Sequence, residues 1–203
     1  MKVLLIEDHI SVSEGLKSNL EKYEFIEEVF IVEDLEVLSK NNLISKYDLV
    51  LMDINLERYR NESYSNGLLL SKDILKNNTK TKVVILSGYD SNYFRRTACE
   101  IGASGYICKD EHVEDIAYKL KAIYENDTNN ITYEVDIDEL DNLEIKIVSL
   151  YSSGYNRKEI ARIVGVSDRT LANYMNKIYQ KLQVRNYQEM IIEVHKRGYS
   201  MIL

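Results

Sequence analysis

Reactive side chains follow four short apolar runs of this sequence, and together they could bind a cation and accept a phosphoryl group. The first run ends at Glu7 and Asp8, the second at Asp53, the third at Ser87 and the fourth at Lys109. Continuous apolar runs of this length are typical of buried parallel strands. Because ligands bind outside the carboxyl ends of the strands in an open parallel sheet, we expect these five side chains to share one pocket.

Three carboxylates in the predicted pocket would repel one another unless a cation lay between them. Oxygen ligands of this kind favour Mg²⁺, which stabilises a transferring phosphoryl group by charge and position. We expect Asp53, alone at the end of its strand, to be the nucleophile, with Lys109 and Ser87 holding phosphoryl oxygens. Taken singly, each carboxylate could be a loop residue or a helix cap, as Asp8 could be, so the prediction depends on their convergence.

Alternating strand and helix patterns run from the start of the chain to residue 125. The strand patterns lie at 2–7, 27–32, 48–53, 82–87 and 105–108, and the helical patterns at 10–22, 34–43, 67–77, 91–102 and 111–125. Five strands with intervening helices predict an α/β domain of the flavodoxin-like class, with a doubly wound, five-stranded parallel sheet. The polar start of the 27–32 pattern places that strand at an edge of the sheet.

The second part of the chain differs in pattern and in charge. Residues 126–139 are polar, acidic and weakly periodic, so we expect a linker between a domain at 1–125 and one at 140–203. From 140 onward only helical patterns occur, near 141–153, 156–164, 168–182 and 187–197, which predicts an all-α domain. The net charge of −7 combines 16 Lys and Arg against 28 Asp and Glu in 1–141 with 10 against 5 in 142–203. This asymmetry indicates that the C-terminal domain alone meets a polyanion.

The C-terminal domain carries the outline of a helix-turn-helix motif. Asn156 is a good cap for a short helix, Gly165 supplies the turn that ends it, and Ser167 caps the next helix. We expect this second helix to enter the major groove of double-stranded DNA. Its exposed polar residues that could reach base edges are Arg169, Thr170, Asn173 and Lys177. Four other basic residues are expected to contact phosphates, or else to form a solvated basic face: Arg157, Lys158, Lys181 and Arg185.

Residues 1–125 resemble a receiver domain of two-component signalling. The matching segments are Leu5-Ile6-Glu7-Asp8-His9, Leu51-Met52-Asp53-Ile54-Asn55, Ile85-Leu86-Ser87-Gly88 and Gly102-Ala103-Ser104-Gly105-Tyr106-Ile107-Cys108-Lys109. The resemblance implies that Asp53 accepts a phosphoryl group from a sensor histidine kinase. It also implies a Mg²⁺ site, formed by Glu7, Asp8, Asp53 and the backbone carbonyl of Asn55. Ser87 and Tyr106 match the switch hydroxyl and the switch aromatic of the family, although Tyr106 could instead be a core residue.

Residues 140–203 are similar to a LuxR-type output domain, from Gly154 to Leu171 and again from Lys181 to Asn186. Together the two parts resemble a NarL/FixJ-type response regulator. The resemblance implies a DNA-binding transcription regulator that is a homodimer when active. It would pair through its last helix, where Met190, Ile191 and Val194 share one face, although that face could instead pack inside the domain.

Several positions depart from the patterns of these families. Asp110 follows Lys109 where the receiver family usually has proline, which leaves the isomer of this peptide bond open. The stretch 56–66 is longer than the usual loop and could be a lid, a partner surface or a tolerated insertion. Ala172 and Tyr174 replace a usual basic residue and a common histidine of the recognition helix.

Other features narrow the class of protein. No signal peptide is visible, and no apolar run is long enough to cross a membrane. Cys99 and Cys108 are expected to be reduced, so we expect a cytoplasmic protein without a membrane partner. The histidines His9, His112 and His195 show no metal-ligand spacing and receive no role.

We expect a transcription regulator switched by phosphorylation of Asp53, with no enzymatic turnover beyond loss of its own phosphoryl group. One alternative is a phosphorylation-independent DNA-binding regulator whose receiver domain serves dimerisation or partner binding. Another is a Mg²⁺-dependent phosphohydrolase on the same sheet, which would leave the basic C-terminal domain idle.

Overall fold

The computed structural model describes residues 1–39, 43–56, 66–77, 80–126, 131–132 and 140–201. The chain forms two compact units, one N-terminal and one C-terminal. The predicted linker 126–139 and the long stretch 56–66 fall mostly outside the described residues, so the predictions made for them stay predictions.

The N-terminal unit is a five-stranded, all-parallel sheet with flanking helices, as predicted. The strands are β1 Lys2–Ile6, β2 Glu28–Ile31, β3 Leu49–Asp53, β4 Lys82–Ser87 and β5 Gly105–Cys108, in the order β2-β1-β3-β4-β5. The helices are α1 Ile10–Leu20, α2 Glu36–Ser39, α3 Gly67–Asn77, α4 Asn92–Glu100 and α5 Val113–Glu125. Strand β2 lies at an edge of the sheet, which confirms the expectation for the pattern at 27–32.

The helix predicted at 34–43 begins two residues later than its pattern, at Glu36, and is described as far as Ser39. A short 3₁₀ turn lies at Ile44–Lys46, after residues 40–42, which are outside the described part. A second difference concerns the start of α1, where His9 rather than Asp8 occupies the cap position. Asp8 is thus one residue too early in the chain to be the cap of α1.

Burial explains why the central strands formed continuous apolar runs. All five residues of β3 are buried, and so are the last four of β1 and the last five of β4. Alternate residues of the sheet pack against side chains from α1 and α5 in one core, among them Leu5, Leu51 and Leu86. A strand covered on both faces has no solvent-facing side, and therefore shows no alternation of polar and apolar residues.

The strand register brings the chemically reactive chain positions to one edge of the sheet. Ile6 pairs with Met52, Asp53 with Leu86, and Ser87 with Cys108. The residues that follow β1 and β5 therefore emerge beside the ends of β3 and β4. This is the carboxyl edge at which the pocket was predicted.

Gly67 allows the chain to return close to the end of β3. A Cβ atom at this position would lie 1.8 Å from the backbone oxygen of Asp53, a distance that no side chain could occupy. The Gly67 N–H donates a 2.9 Å hydrogen bond to the carbonyl of Ile54. The first residue of α3 thus packs directly against the backbone that carries Asp53.

The C-terminal unit consists of four helices and a short 3₁₀ turn over its described residues. The helices are α6 Asn142–Ser152, α7 Arg157–Val164, α8 Asp168–Lys181 and α9 Tyr187–Lys196, and the turn is Tyr199–Met201. Their apolar faces meet in one core that includes Ile147, Ile160 and Leu171. This arrangement agrees with the predicted all-α domain.

Capping interactions define the helix-turn-helix segment at the positions that the sequence indicated. The Asn156 side chain accepts hydrogen bonds from the N–H groups of Lys158 and Glu159, and the Ser167 hydroxyl accepts one from the N–H of Thr170. Gly165 ends α7 in the left-handed conformation, with φ of 73°, which favours glycine. The turn between α7 and α8 is therefore built by local sequence signals.

None of the helices in the described part of the chain combines the length and the apolar character that crossing a membrane requires.

Candidate functional site

The three predicted carboxylates lie together at the carboxyl edge of the sheet. Glu7, Asp8 and Asp53 are all buried, with 2%, 7% and 2% of their surface exposed. One ligand atom from each of these residues and one from His9 lie within 4.8 Å of one another. A compact group of this kind could hold a metal ion.

Lys109 neutralises part of this negative charge. Its Nζ lies 2.6 Å from Glu7 Oε2 and 2.8 Å from Asp53 Oδ2. Both carboxylate oxygens are buried, and neither accepts a well-directed hydrogen bond from the described residues. Burial lowers the pKa of Lys109, but the carboxylates of Asp53 and Glu7 outweigh this effect and raise the pKa overall. Lys109 is therefore held in its charged form.

The negative charge of the Asp53 carboxylate is only partly compensated by its surroundings. Burial raises its pKa to about 6, against the opposing effects of Lys109 and of a hydrogen bond from the backbone of Asn55. The nearby Glu7 carboxylate raises the pKa further. An additional positive charge would thus favour the ionised form of Asp53.

The predicted acceptor, hydroxyl and ammonium open onto one cavity. This cavity of about 260 Å³ is lined by His9, Asp53, Ile54, Asn55, Ser87, Gly88, Tyr89 and Lys109. All peptide bonds among the described residues are trans, including the bond between Lys109 and Asp110. The replacement of proline by Asp110 has therefore not prevented Lys109 from reaching Asp53.

Ser87 and Tyr106 are connected through the backbone of Tyr89. The buried Ser87 hydroxyl accepts a 3.0 Å hydrogen bond from the Tyr89 N–H. The Tyr106 hydroxyl donates a hydrogen bond to the Tyr89 carbonyl, and the Tyr106 side chain is buried. Burial raises the pKa of this phenol, so it is a hydrogen-bond donor at neutral pH. The two residues predicted to act as a switch thus share one structural partner.

His9 also belongs to this site, although its sequence context predicted no role for it. Its Nδ1 lies 2.8 Å from Asp8 Oδ1 and 3.1 Å from Glu7 Oε1. Hydrogen bonding to Glu7 raises its pKa, an effect that burial partly opposes. The signal available in the sequence was only its position directly after the acid pair, where a helix-start residue more often faces solvent.

The predicted base-contacting residues line the exposed face of α8. The residues Arg169, Thr170, Asn173 and Lys177 are all exposed, and Asn176 and Gln180, which the sequence analysis did not select, are exposed as well. The Ser167 and Thr170 hydroxyls lie 2.8 Å apart at the start of the helix. This polar helix face could enter a groove of DNA.

The predicted phosphate-contacting residues have different surroundings. Lys158 and Arg185 are exposed. Arg157 is exposed too, but its guanidinium donates a 2.7 Å hydrogen bond to the backbone carbonyl of Asp168. Lys181 is half-buried, and its Nζ donates to Glu144 Oε2 at 2.6 Å. Arg157 and Lys181 therefore make internal contacts that the sequence analysis did not anticipate.

The face of α9 is divided between the core and the surface. Met190 and Val194 are fully buried in the core of the C-terminal unit. Ile191 is partly buried, whereas 66% of Ile192 is exposed. The structure thus favours internal packing over dimerisation for Met190 and Val194, because a side chain without exposed surface cannot contact a second copy.

Comparisons with known proteins assign both units. A family model described as a response regulator receiver domain matches residues 3–121, and one described as bacterial regulatory proteins of the luxR family matches residues 138–194.

Similarity to known proteins extends over nearly the whole chain. The transcriptional regulatory protein DegU of Brevibacillus brevis is 26% identical over 100% of this chain and 96% of its own. ComA of Bacillus subtilis (strain 168) is 29% identical over 97% and 98%, respectively. RcsB from Salmonella enterica serovar Typhimurium, solved bound to the promoter rprA, shares the fold with a TM-score of 0.63, at 20% identity over 96% of this chain and 98% of that one. The chain therefore belongs to the response regulators, as a transcriptional regulator of the NarL/FixJ type with a receiver domain and a LuxR-type DNA-binding domain.

Proposed function

We propose that a sensor histidine kinase phosphorylates Asp53 and that this modification controls DNA binding by the C-terminal domain. The convergence of Asp53, Ser87 and Lys109 on one cavity is the observation that carries the proposal. In the transfer step, an Asp53 oxygen attacks phosphorus while the bond from phosphorus to the kinase histidine nitrogen breaks and the imidazole leaves. We propose no other catalytic turnover than loss of this phosphoryl group.

Mg²⁺ fits the acidic cluster beside Asp53. The donor set is oxygen-rich, and the buried Glu7 Oε2 and Asp53 Oδ2 accept no well-directed hydrogen bond within the described residues. Glu7, Asp8, Asp53 and the backbone carbonyl of Asn55 would hold the ion, which would supply positive charge for phosphoryl oxygens. With that charge present, the Lys109 ammonium would be free to turn toward the phosphoryl group.

Ser87 and Tyr106 would transmit the change. Phosphorylation adds strong acceptor oxygens to the cavity, and the Ser87 hydroxyl would leave the Tyr89 N–H to donate to one of them. Tyr106 would move with Ser87, since its hydroxyl is hydrogen-bonded to the carbonyl of Tyr89, whose N–H contacts Ser87. Such a switch requires two states of similar free energy.

The output would be double-stranded DNA bound by a homodimer. We propose that the receiver domain comprises 1–125, the linker 126–139 and the DNA-binding domain 140–203, and that the protein acts in the cytoplasm where its DNA lies. Base edges would be read by Arg169, Thr170, Asn173 and Lys177 from α8. Lys158 and Arg185 would contact phosphates, and Arg157 and Lys181, which already contact Asp168 and Glu144, would contribute positive charge. For pairing through α9, the exposed Ile192 is a better candidate than the buried residues beside it.

The phosphoacceptor is tested by incubation of the full chain with acetyl phosphate and Mg²⁺, followed by intact-mass analysis. We expect one added phosphoryl group in the unmodified sequence and none in Asp53→Ala. Asp73→Asn, which changes a carboxylate on α3 away from the cavity, is the matched control and should be labelled normally. Persistent labelling of Asp53→Ala would exclude Asp53 as the acceptor.

The coupling to DNA is tested by binding to a library of DNA fragments at fixed salt concentration. We expect tighter, sequence-selective binding after treatment with acetyl phosphate.

A second candidate function is a regulator that binds DNA without phosphorylation. Two departures from the family patterns favour it: Asp110 stands where proline usually follows the receiver lysine, and Ala172 replaces a usual basic residue of the recognition helix. Equal selective binding with and without the phosphodonor would establish this alternative.

A further inference from the structure

We propose that His9 is a ligand of the cation bound at the acidic cluster and that it makes the site prefer a divalent transition metal such as Co²⁺ over Mg²⁺. This inference rests on the proposed cation site and adds a nitrogen ligand to it. The cluster would then present three carboxylate oxygens and one imidazole nitrogen.

The distances around His9 suit shared coordination. Bonds of about 2.1 Å to one metal ion place adjacent ligands of an octahedron about 3.0 Å apart and opposite ligands about 4.2 Å apart. His9 Nδ1 lies 2.8 Å from Asp8 Oδ1 and 3.1 Å from Glu7 Oε1. The four candidate ligand atoms, one each from Glu7, Asp8, His9 and Asp53, lie within 4.8 Å of one another. Only a slight contraction would bring them to octahedral distances.

The conformation of His9 is not explained by the helix that it precedes. It occupies the cap position of α1, where a side chain usually accepts hydrogen bonds from the first turn. Its ring makes no such hydrogen bond and faces the two carboxylates instead. Since 61% of the side chain is exposed, the ring can rotate toward a cation without disturbing the core.

A second observation points to a cation at the same place. The Glu7 and Asp53 side chains are 0% and 3% exposed, and their Oε2 and Oδ2 atoms share one ammonium group, that of Lys109, at 2.6 and 2.8 Å. Buried carboxylates in this state require a positive charge that Lys109 provides only in part.

The choice of metal follows from the chemistry of the ligands. Mg²⁺ prefers oxygen ligands and retains several waters, whereas imidazole nitrogen is a good ligand for first-row transition metals. A nitrogen donor beside three oxygens therefore raises the affinity for Co²⁺ more than the affinity for Mg²⁺.

The experiment compares metal binding by the full chain and by His9→Asn. Asparagine is a favourable helix cap, so α1 should form, and its amide oxygen replaces the imidazole nitrogen with a harder donor. Affinities for Mg²⁺ and Co²⁺ would be measured by calorimetry, and the Co²⁺ complex would be examined by visible absorption and by paramagnetically shifted imidazole proton signals. His112→Asn removes the other receiver-domain histidine and is the matched control.

We expect His9→Asn to weaken Co²⁺ binding by about 10- to 100-fold, with Mg²⁺ affinity changed by less than about 3-fold, and to abolish the shifted imidazole signals. His112→Asn should behave like the unmodified protein. Equal losses for both metals would overturn the selectivity, and unchanged Co²⁺ affinity would overturn the ligand assignment. Absence of Mg²⁺ and Co²⁺ binding in every variant would instead reject the cation site of the proposed function.

Discussion

The guanidinium carbon of Arg95 lies 4.7 Å from the centroid of the Tyr106 ring, so a cation from α4 covers the aromatic residue behind the site. Asp90 holds the guanidinium, with Oδ1 at 2.8 Å from both Nε and Nη2. Nη2 also lies 3.5 Å from Cys108 Sγ. The Tyr106 hydroxyl is hydrogen-bonded to the backbone of Tyr89, which also contacts Ser87. Arg95 of α4 is therefore linked to Ser87 through these two tyrosines.

Arg95→Ala should release Tyr106 from its buried position. We expect a loss of about 0.5–2 kcal/mol in the free energy of unfolding, the usual range for a partly desolvated cation–π contact, and greater mobility of the Tyr106 ring. Denaturant unfolding and ring NMR signals provide the measurements. Arg96→Ala is the control, because Arg96 pairs with Glu100 at a long 3.9 Å on the partly exposed side of α4, and its loss should cost less than about 0.5 kcal/mol. Equal effects of the two variants would contradict the contact.

The stability of the metal-free protein should fall as the pH rises through about 6. The pKa of Asp53 is raised to about 6 in the folded protein, mainly by burial. Between its ordinary value and about 6, the folded state therefore binds more protons than the unfolded state, and stability decreases with rising pH. The measurement is denaturant unfolding from pH 4 to 8 in the presence of a chelator. Asp53→Asn should remove this part of the pH dependence, and an unchanged profile in that variant would refute the assignment.

Mg²⁺ affinity should show the opposite dependence on pH. Protonated Asp53 cannot ligate a cation, so binding near pH 6 should release about half a proton per ion and binding at pH 8 should release almost none. Calorimetry in buffers of different ionisation enthalpy measures the number of protons released. Identical proton release at the two pH values would contradict this prediction.

Lys181 and Lys158 should behave differently although both are basic residues of the C-terminal domain. Lys181 Nζ lies 2.6 Å from the fully buried Glu144 carboxylate, which also has Lys177 Nζ at 3.5 Å, so Lys181→Met should lower the free energy of unfolding by about 1–3 kcal/mol. Lys158→Met should leave the free energy of unfolding nearly unchanged. It should reduce the slope of log DNA affinity against log salt concentration by about one, because one phosphate contact is lost. Unfolding curves and DNA titrations at several salt concentrations distinguish the two roles. A stable Lys181→Met variant would show that Glu144 is compensated by other groups.

Substitutions at two positions of α9 should have different effects, one on folding stability and the other on dimerisation. Met190→Ala should cost about 2–5 kcal/mol in stability, since the side chain is fully buried and its removal leaves a cavity. Ile192→Glu changes a residue that is 66% exposed, so it should fold normally and weaken dimerisation of the DNA-bound protein. Sedimentation with and without DNA measures the second effect. Normal dimerisation of Ile192→Glu would place the pairing surface elsewhere.

Local sequence patterns predicted most of the helices and strands and the edge of the sheet at which the site forms. Asp53 and Ser87 end strands and Lys109 directly follows one, and parallel strands in register bring such positions together at one edge of the sheet. Asn156, Gly165 and Ser167 likewise define the turn between α7 and α8 through hydrogen bonds within a few residues. These features could be predicted because local periodicity and capping carry the information.

Which side chains distant in the sequence come into contact depends on the tertiary packing. The sequence shows neither that His9 turns to the carboxylates nor that Arg95 covers Tyr106. The pairing of Lys181 with Glu144, 37 residues away, is equally hidden, because both types usually face solvent. These contacts depend on how helices pack on the sheet and on one another, since that packing sets which exposed positions become neighbours and which charges lose contact with water.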